Sequence, residues 1–350
     1  MTSHGQSVTE DRFGRAVSAG ETPMRAIVQE AYGSADVLHL AHIARPAIGE
    51  NEVLVRVHAA GLDRGTWHVT TGLPYALRLV YGLRAPKNPV PGLDLAGTVA
   101  AVGAAVTRFS VGDEVFGFGK GPFAEFAAAP ENKLARKPAN LTFEQAAVVP
   151  VSASTALQAL RAAGRVTLGQ KVLVVGASGG VGSYAVQLAK AAGVVVTGVS
   201  STAKLDLVRS LGADHVIDYT RQDFADGTER YDLILDIAGN PTLARLRNAL
   251  TLTGTAVITG GEEGGSWTGS MDRQLRALVL SPFIRQRLTM VMGKENAADL
   301  EHLCGLIEAG TLTPVIDRTF TLAQVPDAMR YLDAGKARGK IAITIQAPQA

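Results

Sequence analysis

Cysteine is nearly absent from this sequence, since Cys304 is the only one among 350 residues. No disulfide can form within the chain, and zinc sites that need two or more cysteines are excluded. A lone thiol is typical of proteins in a reducing compartment, so we predict a cytoplasmic location.

An excess of positive charge is also lacking, because 34 basic side chains accompany 32 acidic ones and the net charge is +2. No basic block occurs, so we predict no nucleic-acid partner. No apolar run approaches the roughly 20 residues that cross a bilayer, so we predict no membrane partner. Residues 1–23 are polar and lack the apolar segment of a secretory signal, which predicts a flexible tail.

The composition that remains can bury a large core, with 47 % hydrophobic and 19 % charged residues. From residue 24 onward, the pattern predicts short strands separated by turns. The predicted strands are residues 25–30, 52–60, 92–102 and 112–118. The first part of the chain is therefore predicted to be a compact, mainly β domain.

Near residue 142 the pattern changes to strands that alternate with helices, which predicts a parallel sheet with right-handed crossovers. Helices are predicted at 143–149 and 154–163, strands at 171–175, 194–199, 215–217, 231–237 and 255–259, and a sixth apolar run at 288–292. The last part of the chain is predicted to contain helices at 295–309 and 323–333 and strands at 314–320 and 340–345.

The strongest motif is residues 171–182, KVLVVGASGGVG, followed by a predicted helix at 183–192. An apolar strand that leads through a glycine-rich turn into a helix is the arrangement that binds a dinucleotide pyrophosphate. Ala177 stands where the first glycine of that motif is usual, and a purely structural turn is the alternative. The predicted cofactor contacts are Ala177, Ser178, Gly179, Gly180, Val181 and Gly182.

The end of the second strand of this unit predicts which nicotinamide cofactor is bound. An NAD site has a carboxylate there, which accepts hydrogen bonds from the ribose hydroxyls. This chain has Ser200, Ser201 and Lys204 instead, and hydroxyl and ammonium groups suit the 2′-phosphate of NADPH. We therefore predict NADPH as the cofactor, with a solvated helix position as the alternative for Lys204.

Five motifs together resemble the medium-chain dehydrogenase/reductase superfamily, in its zinc-independent, quinone oxidoreductase-like branch. They are residues 92–99 (GLDLAGTV), 111–116 (VGDEVF), 177–182 (ASGGVG), 211–219 (LGADHVIDY) and 339–343 (GKIAI). The resemblance implies an α/β protein with a GroES-like, mainly β catalytic domain and a Rossmann domain with a doubly wound parallel sheet. Residues 24–149 and 295–350 would form the catalytic domain and residues 150–294 the Rossmann domain, with the active site between them.

The resemblance also bears on metal binding and on assembly. Where the zinc-dependent branch has its metal ligands, this chain has Asp63, Leu93 and Val151, and the last two side chains have no ligating atom. We therefore expect no metal. In such proteins the last Rossmann strand often pairs with its copy in a second subunit, so residues 288–292 are the expected edge of a homodimer.

Catalytic candidates lie in residues 61–75, which are expected to line the cleft. Asp63 stands where related quinone reductases usually carry asparagine; it could supply a proton or pair with Arg64, and it could equally cap the next helix. Tyr75 loosely matches a tyrosine that holds or protonates the enolate in enoyl reductases, and is otherwise a wall residue. His68 is the third candidate, with a packed loop position as its alternative.

The resemblance places further residues beside the cofactor. Thr155 matches a threonine behind the nicotinamide ring, and Tyr219 matches a residue beside the adenosine phosphate. The others follow Rossmann strands or precede the last strand, and they are Ala238, Gly260, Gly261, Arg338 and Lys340. For the last two, a surface position is the alternative.

These observations predict an NADPH-dependent reductase that transfers hydride to the activated C=C bond of an enone or enoyl compound, or to a quinone. Its partner is then a small electrophilic molecule. Two alternatives are an NADP(H)-dependent alcohol or carbonyl dehydrogenase and a nucleotide-binding protein with little turnover. Residues 74–88 are predicted to form an apolar lid over a fairly large substrate, or else a core or dimer contact.

Overall fold

A computed structural model describes residues 23–164, 166–261, 265–291 and 293–345, together with the backbone of residues 9–10 and 16–17. In the N-terminal segment, strand β1 (Thr9–Glu10) pairs antiparallel with β2 (Ala16–Val17). The rest of the predicted tail up to residue 22 lies outside the described residues, as does Met292 of the predicted dimer edge.

Strands separated by turns make up most of the chain up to residue 147. Buried Val53, Val55 and Val57 alternate with more exposed neighbours, as in a strand that packs one face on a core. The elements are β3 (Met24–Val28), β4 (His39–Ile43), β5 (Glu52–Leu62), α1 (Arg64–Thr71), α2 (Arg78–Tyr81), β6 (Asp94–Val102), β7 (Glu114–Phe118), β8 (Phe126–Pro130), β9 (Leu134–Arg136) and α3 (Phe143–Ala147).

A parallel α/β unit follows. Its elements are α4 (Pro150–Ala163), β10 (Lys171–Val175), α5 (Gly180–Ala191), β11 (Val195–Ser200), α6 (Leu205–Ser210), β12 (His215–Asp218), β13 (Tyr231–Asp236), α7 (Leu243–Ala249), β14 (Leu250–Ile258), α8 (Met271–Leu280) and β15 (Arg287–Met290). The sheet order is β12–β11–β10–β13–β14–β15, and every neighbouring pair is parallel. The predicted α/β fold class is confirmed. The strand order reverses at β10, so the crevice at the carboxyl end of β10 is where such sheets bind ligands.

The last part of the chain contains α9 (Ala297–Glu308), β16 (Ile316–Thr321), α10 (Val325–Asp333) and β17 (Lys340–Thr344). Strand β17 pairs antiparallel with β5 and parallel with β16. The result is a seven-stranded sheet in the order β16–β17–β5–β6–β7–β9, with β8 also paired to β5. The end of the chain thus returns to the sheet that the beginning builds.

Two elements begin four or five residues before their predicted start. Helix α4 begins at Pro150 rather than at residue 154, because proline lacks an N–H and suits the first turn of a helix. Strand β14 begins at Leu250 rather than at residue 255. Its register with β13 shifts between Leu250 and Thr255, and this irregularity obscures the strand pattern in the sequence.

The two sheets meet along α4 and the start of β17. One buried apolar cluster runs from Phe116 of the first sheet through Ala153 of α4 to Val174 of the second. The N–H of Gly339, just before β17, donates to the carbonyl of Ser178 in the glycine-rich turn (2.8 Å). The turn after β10 therefore opens at the junction of the two sheets.

Among the described residues, no helix has both the length and the apolar character needed to span a membrane.

Candidate cofactor site and active site

The turn after β10 is built around Gly176, which adopts φ +84°, a left-handed conformation that favours glycine. The N–H groups of Gly176 and Ala177 both donate to the carbonyl of Val199 at the end of β11 (3.1 and 3.0 Å). The turn glycine is thus one residue earlier than the motif suggested. Ala177 is buried, and its methyl group packs against Gly198, which has no Cβ in that space.

The N-terminus of α5 fits an anionic group. Its N-cap residue, Gly179, has no side chain to accept hydrogen bonds from the first turn, where Val181 is half-buried. A Cβ added at Gly179 would have only the carbonyl oxygen of Gly176 within 4 Å, at 3.5 Å. At Gly182, by contrast, a Cβ would lie 2.1 Å from that oxygen, so the helix packs directly on the turn. Unbonded N–H groups, an open approach and the helix dipole suit a dinucleotide pyrophosphate.

Hydroxyl groups and an ammonium group lie where β11 ends. Ser200 is buried, and Ser201 is the N-cap of the short 3-10 helix Thr202–Lys204. The Nζ of Lys204 donates to the carbonyls of Gly335 and Ala337, at 2.8 Å each. Lys204 therefore reaches the loop before β17, at the junction of the two sheets, and does not extend into solvent as the alternative required.

A carboxylate lies beside this crevice, and sequence reasoning, which considered only the end of β11, missed it. Asp218 at the end of β12 accepts hydrogen bonds from the hydroxyls of Thr202 and Thr220. These hydrogen bonds hold the pKa of Asp218 below its ordinary value, so the group is ionised at neutral pH. The guanidinium of Arg221, 3.6 Å away, lies beside this negative charge.

Two further predicted contacts lie at the surface of this crevice. Tyr219 is exposed, and its N–H donates to the carbonyl of Ser200 (3.2 Å), so its backbone lies beside the end of β11. Arg338 forms an ion pair with Asp206 of α6 (2.7 Å), which corresponds to the surface alternative for this residue.

Lys340 is buried and joins α5 to a buried carboxylate. Its Cδ lies 2.9 Å from the position a Cβ of Gly180 would take, and its Nζ is 3.4 Å from Asp94 Oδ2. The other oxygen of Asp94 accepts from the N–H of Val151 at the start of α4 (2.8 Å). Burial raises the pKa of Asp94 to about 7, and the Lys340 ammonium acts against that shift. The surface alternative is therefore wrong for Lys340.

Of the residues expected at the nicotinamide end, Ala238, Gly260 and Gly261 follow the carboxyl ends of neighbouring parallel strands, whereas Thr155 lies in α4. Thr155 lies one turn into α4, and its Oγ1 donates to the carbonyl of Val151 (2.7 Å). Ala238 follows β13 and packs its methyl group against Gly176. The loop after β14 begins with Thr259, Gly260 and Gly261, and the N–H of Thr259 donates to the carbonyl of Asp236 (2.8 Å).

Asp63 caps a helix, as one of the alternatives for it predicted. Its Oδ1 accepts from the N–H of Thr66 (2.8 Å), so it caps α1. Its Oδ2 is buried and has no hydrogen-bond partner among the described residues. Arg64, the partner considered for Asp63, lies 3.6 Å from Asp333 instead. One oxygen of the carboxylate therefore caps α1, and the other is not used by the helix.

His68 and Tyr75 flank the end of α1. The Nδ1 of His68 lies 2.6 Å from the carbonyl oxygen of Leu73, which can only accept, so Nδ1 carries the proton and Nε2 is the basic nitrogen. The ring of Tyr75 meets Trp267 edge to face, with centroids 5.4 Å apart, and the Arg78 guanidinium lies 4.6 Å from its centre.

The predicted lid contacts the loop between β14 and α8. The N–H groups of Tyr75 and Ala76 donate to the carbonyls of Ser266 and Trp267 in the loop between β14 and α8 (2.8 and 3.1 Å). Trp267, which sequence reasoning missed, is itself largely exposed. The segment also exposes a set of apolar side chains, namely Leu79, Val80 and Leu83.

A second phenol belongs to this segment. Partial burial raises the pKa of Tyr81, and the carboxylates of Glu295 and Asp63 raise it further. The hydroxyl therefore stays protonated at neutral pH. Sequence reasoning counted Tyr81 only as an apolar lid residue.

The side chains at the family's zinc position do not fit a metal. Leu93 and Val151 are partly buried and pack against the apolar cluster of α4. Among the described residues, no group of three or more His, Cys, Asp or Glu side chains is arranged to hold a metal ion.

Two family models match the chain. Residues 49–139 match the alcohol dehydrogenase GroES-like domain, and residues 211–343 match a model described as zinc-binding dehydrogenase. The chain is 36 % identical to the 2-methylene-furan-3-one reductase of Solanum lycopersicum, over 91 % of this chain and 79 % of that protein. It is 35 % identical to the chloroplastic NADPH-dependent alkenal/one oxidoreductase of Arabidopsis thaliana, with the same coverage.

The fold also matches a solved structure. The quinone oxidoreductase from Coxiella burnetii superposes with a TM-score of 0.82, at 28 % identity, over 93 % of this chain and all of that one. The similarity extends over both sheets and therefore over the junction that holds the residues described above.

Proposed function

Because the chain belongs to the medium-chain dehydrogenase/reductase superfamily, in its quinone oxidoreductase-like branch, we propose that it is a zinc-independent, NADPH-dependent reductase of enones, enoyl compounds or quinones. The observation that carries the proposal is the uncapped, open N-terminus of α5 beside the hydroxyl and ammonium groups that follow β11. The relatives are named as reductases or oxidoreductases of a methylene-furanone, of alkenals and enones, and of quinones, and these names support the proposed substrate class. A single cysteine favours the cytoplasm as the location.

The residues that would hold NADPH divide between its phosphates and its nicotinamide. The N–H groups at Gly180 and Val181 face the diphosphate, and Lys340 adds a buried positive charge beside them. Ser201 and Lys204 bind the 2′-phosphate, for which the Lys204 ammonium exchanges a carbonyl for a phosphate oxygen. Bound NADPH supplies the hydride, and the chain supplies position and electrostatics.

In the proposed reaction, side chains of the protein stabilise and protonate the oxyanion that hydride transfer produces. When hydride adds to an electron-poor carbon, the resulting enolate or quinol anion needs a proton. Tyr75 is the proposed proton source, His68 supplies a proton only when both of its ring nitrogens are protonated, and Asp63 only in its protonated form. The phenol of Tyr81 is a further hydrogen-bond donor. No zinc is needed to polarise the acceptor because conjugation already activates it, and Leu93 and Val151 offer zinc no ligand.

A panel of electrophiles tests this proposal. We expect loss of reduced-nicotinamide absorbance when NADPH is mixed with enones and quinones, from a small enone to an extended aromatic one. The lid's exposed apolar side chains predict faster turnover of the larger members. A chelator is expected to leave the rate unchanged.

Other outcomes of the panel favour the two alternatives. Turnover restricted to alcohols or saturated carbonyls, and abolished by the chelator, would indicate a metal-dependent alcohol dehydrogenase. Binding of NADPH without turnover of any member would indicate a nucleotide-binding protein.

The homodimer is a further part of the proposal. Strand β15 is the edge of the parallel sheet, and the neighbouring surface exposes Leu275, Val279 and Phe283. Exposed apolar side chains beside a free strand edge favour pairing with a second copy. We expect light scattering to give the mass of two 36.6 kDa chains.

A matched pair of variants tests the dimer surface. Val279→Glu is expected to give single chains, because Val279 is 70 % exposed on α8. Val111→Glu is the control, since Val111 is 64 % exposed but belongs to the first part of the chain. A single-chain mass for the wild type would contradict the proposed dimer.

A further inference from the structure

A buried ion pair lies where the parallel strands end. Asp236, the last residue of β13, is fully buried, and its Oδ2 lies 2.5 Å from Nη1 of Arg273 in α8. Asp236 pairs in register with Val175 of β10 and Ile258 of β14. The pair therefore sits next to the point at which the strand order reverses.

The Arg273 guanidinium also binds two loops. Its Nη1 donates to the carbonyl of Pro241, in the loop after β13 (3.0 Å). Its Nη2 donates to the carbonyl of Gly260, in the loop after β14 (2.8 Å), and lies 3.2 Å from the place a Cβ of Gly261 would take. One side chain thus fastens together the two loops that carry Ala238, Gly260 and Gly261.

The buried Asp236–Arg273 ion pair is not explained by a gain in folding stability. Burial of two charges requires their desolvation, and the attraction between them often repays only part of that cost. Asp236 Oδ1, Arg273 Nε and Thr259 Oγ1 are buried and have no partner among the described residues. Burial raises the pKa of Asp236 to about 7, and the Arg273 charge opposes that shift. A planar guanidinium suits this position because it reaches three acceptors at once, which an ammonium on a flexible chain does less well.

We propose that Arg273 is a positioning residue, which holds the loops after β13 and β14 at the separation that admits the nicotinamide half of NADPH. The inference rests on the proposed function, because it needs NADPH to bind with its diphosphate at α5. Arg273 itself touches the loop carbonyls and Asp236 and acts on the cofactor through them. It should therefore affect the nicotinamide end and leave the phosphate end unchanged.

A comparison of two ligands distinguishes an effect at the nicotinamide end from an effect at the phosphate end. NADPH is compared with 2′-monophosphoadenosine 5′-diphosphoribose, which lacks only the nicotinamide, and binding of each is measured by calorimetry. We expect Arg273→Met to weaken NADPH binding by about tenfold or more, since hydrogen bonds from a charged donor to both loops are lost. Binding of the nicotinamide-free ligand should change by less than about twofold.

The control and a second variant keep the test decisive. Arg276→Met removes an exposed arginine from the same helix, paired with Asp272, and is expected to change neither affinity. If Arg273→Met does not fold, the double variant Asp236→Asn with Arg273→Met removes both buried charges and should recover stability while NADPH binding stays weak.

Three results would tell against the inference or its premise. Equal weakening of both ligands would mean that Arg273 is merely structural, and unchanged NADPH binding would also overturn the positioning role. Failure of the wild type to bind either ligand would instead contradict the proposed function.

Discussion

Replacement of Ser201 by aspartate is expected to lower kcat/KM for NADPH by about 100-fold, with little loss for NADH. Ser201 is the N-cap of the 3-10 helix after β11, and aspartate suits an N-cap, so the local fold should persist. The new carboxylate would face the 2′-phosphate. Two unit charges about 5 Å apart interact by roughly 3 kcal/mol at an effective dielectric constant of about 20, which corresponds to about 100-fold in affinity. NADH has hydroxyls at that position, which donate to a carboxylate.

The coenzyme test needs a neutral control and a check on the wild type. Ser201→Asn has a side chain of similar size to aspartate and no charge, so it should keep the preference for NADPH. Lys204→Met should lower NADPH affinity by about tenfold, because a charged donor to the phosphate is lost. Equal affinity of Ser201→Asp and wild type for NADPH, or a wild type that prefers NADH, would show that the crevice after β11 does not hold a phosphate.

Local periodicity was enough to predict most of the fold. Strand β10 was predicted at residues 171–175 and is observed at Lys171–Val175, because an unbroken apolar run ended by glycine has few other interpretations. The parallel order of the sheet follows from strand–helix alternation. Boundaries shifted where another effect dominated, as at Pro150, whose ring suits a helix start that the hydrophobic pattern does not reveal.

The candidate site was predictable only where its residues follow one another in the chain. The turn from Gly176 to Gly182 is such a segment, although the left-handed residue proved to be Gly176 and not its neighbour. Arg273 and Asp236 are 37 residues apart, and only the folded sheet brings them together. Trp267 lies in the loop before α8 and Tyr75 follows α1, so no local pattern in the sequence connects them. Contacts of this kind depend on tertiary packing, which a single sequence does not encode in its periodicity.

Alanine at Gly182 and alanine at Gly179 are expected to affect stability in different ways. At Gly182 the new methyl group would lie 2.1 Å from the Gly176 carbonyl oxygen and 2.8 Å from Ala177 Cα. These are backbone atoms that cannot move without opening the turn, so we expect a loss of about 1–3 kcal/mol of stability and a Tm lower by several degrees. NADPH binding should be lost as well, because the displaced turn carries the N-terminus of α5.

At Gly179 the same methyl group meets only the Gly176 oxygen, at 3.5 Å, and the backbone has φ −85°, which alanine adopts without strain. The Tm of Gly179→Ala should therefore be unchanged or slightly higher, since alanine loses less conformational entropy on folding. Its NADPH affinity should nevertheless fall by about tenfold or more, because the methyl group occupies the approach to the first turn of α5, where a diphosphate must come close to the backbone. Thermal unfolding and calorimetry on the two variants measure both quantities. A Gly179→Ala protein that binds NADPH as tightly as the wild type would mean that the open N-terminus of α5 is not where the diphosphate binds, and the proposed cofactor site would then be wrong at its central contact.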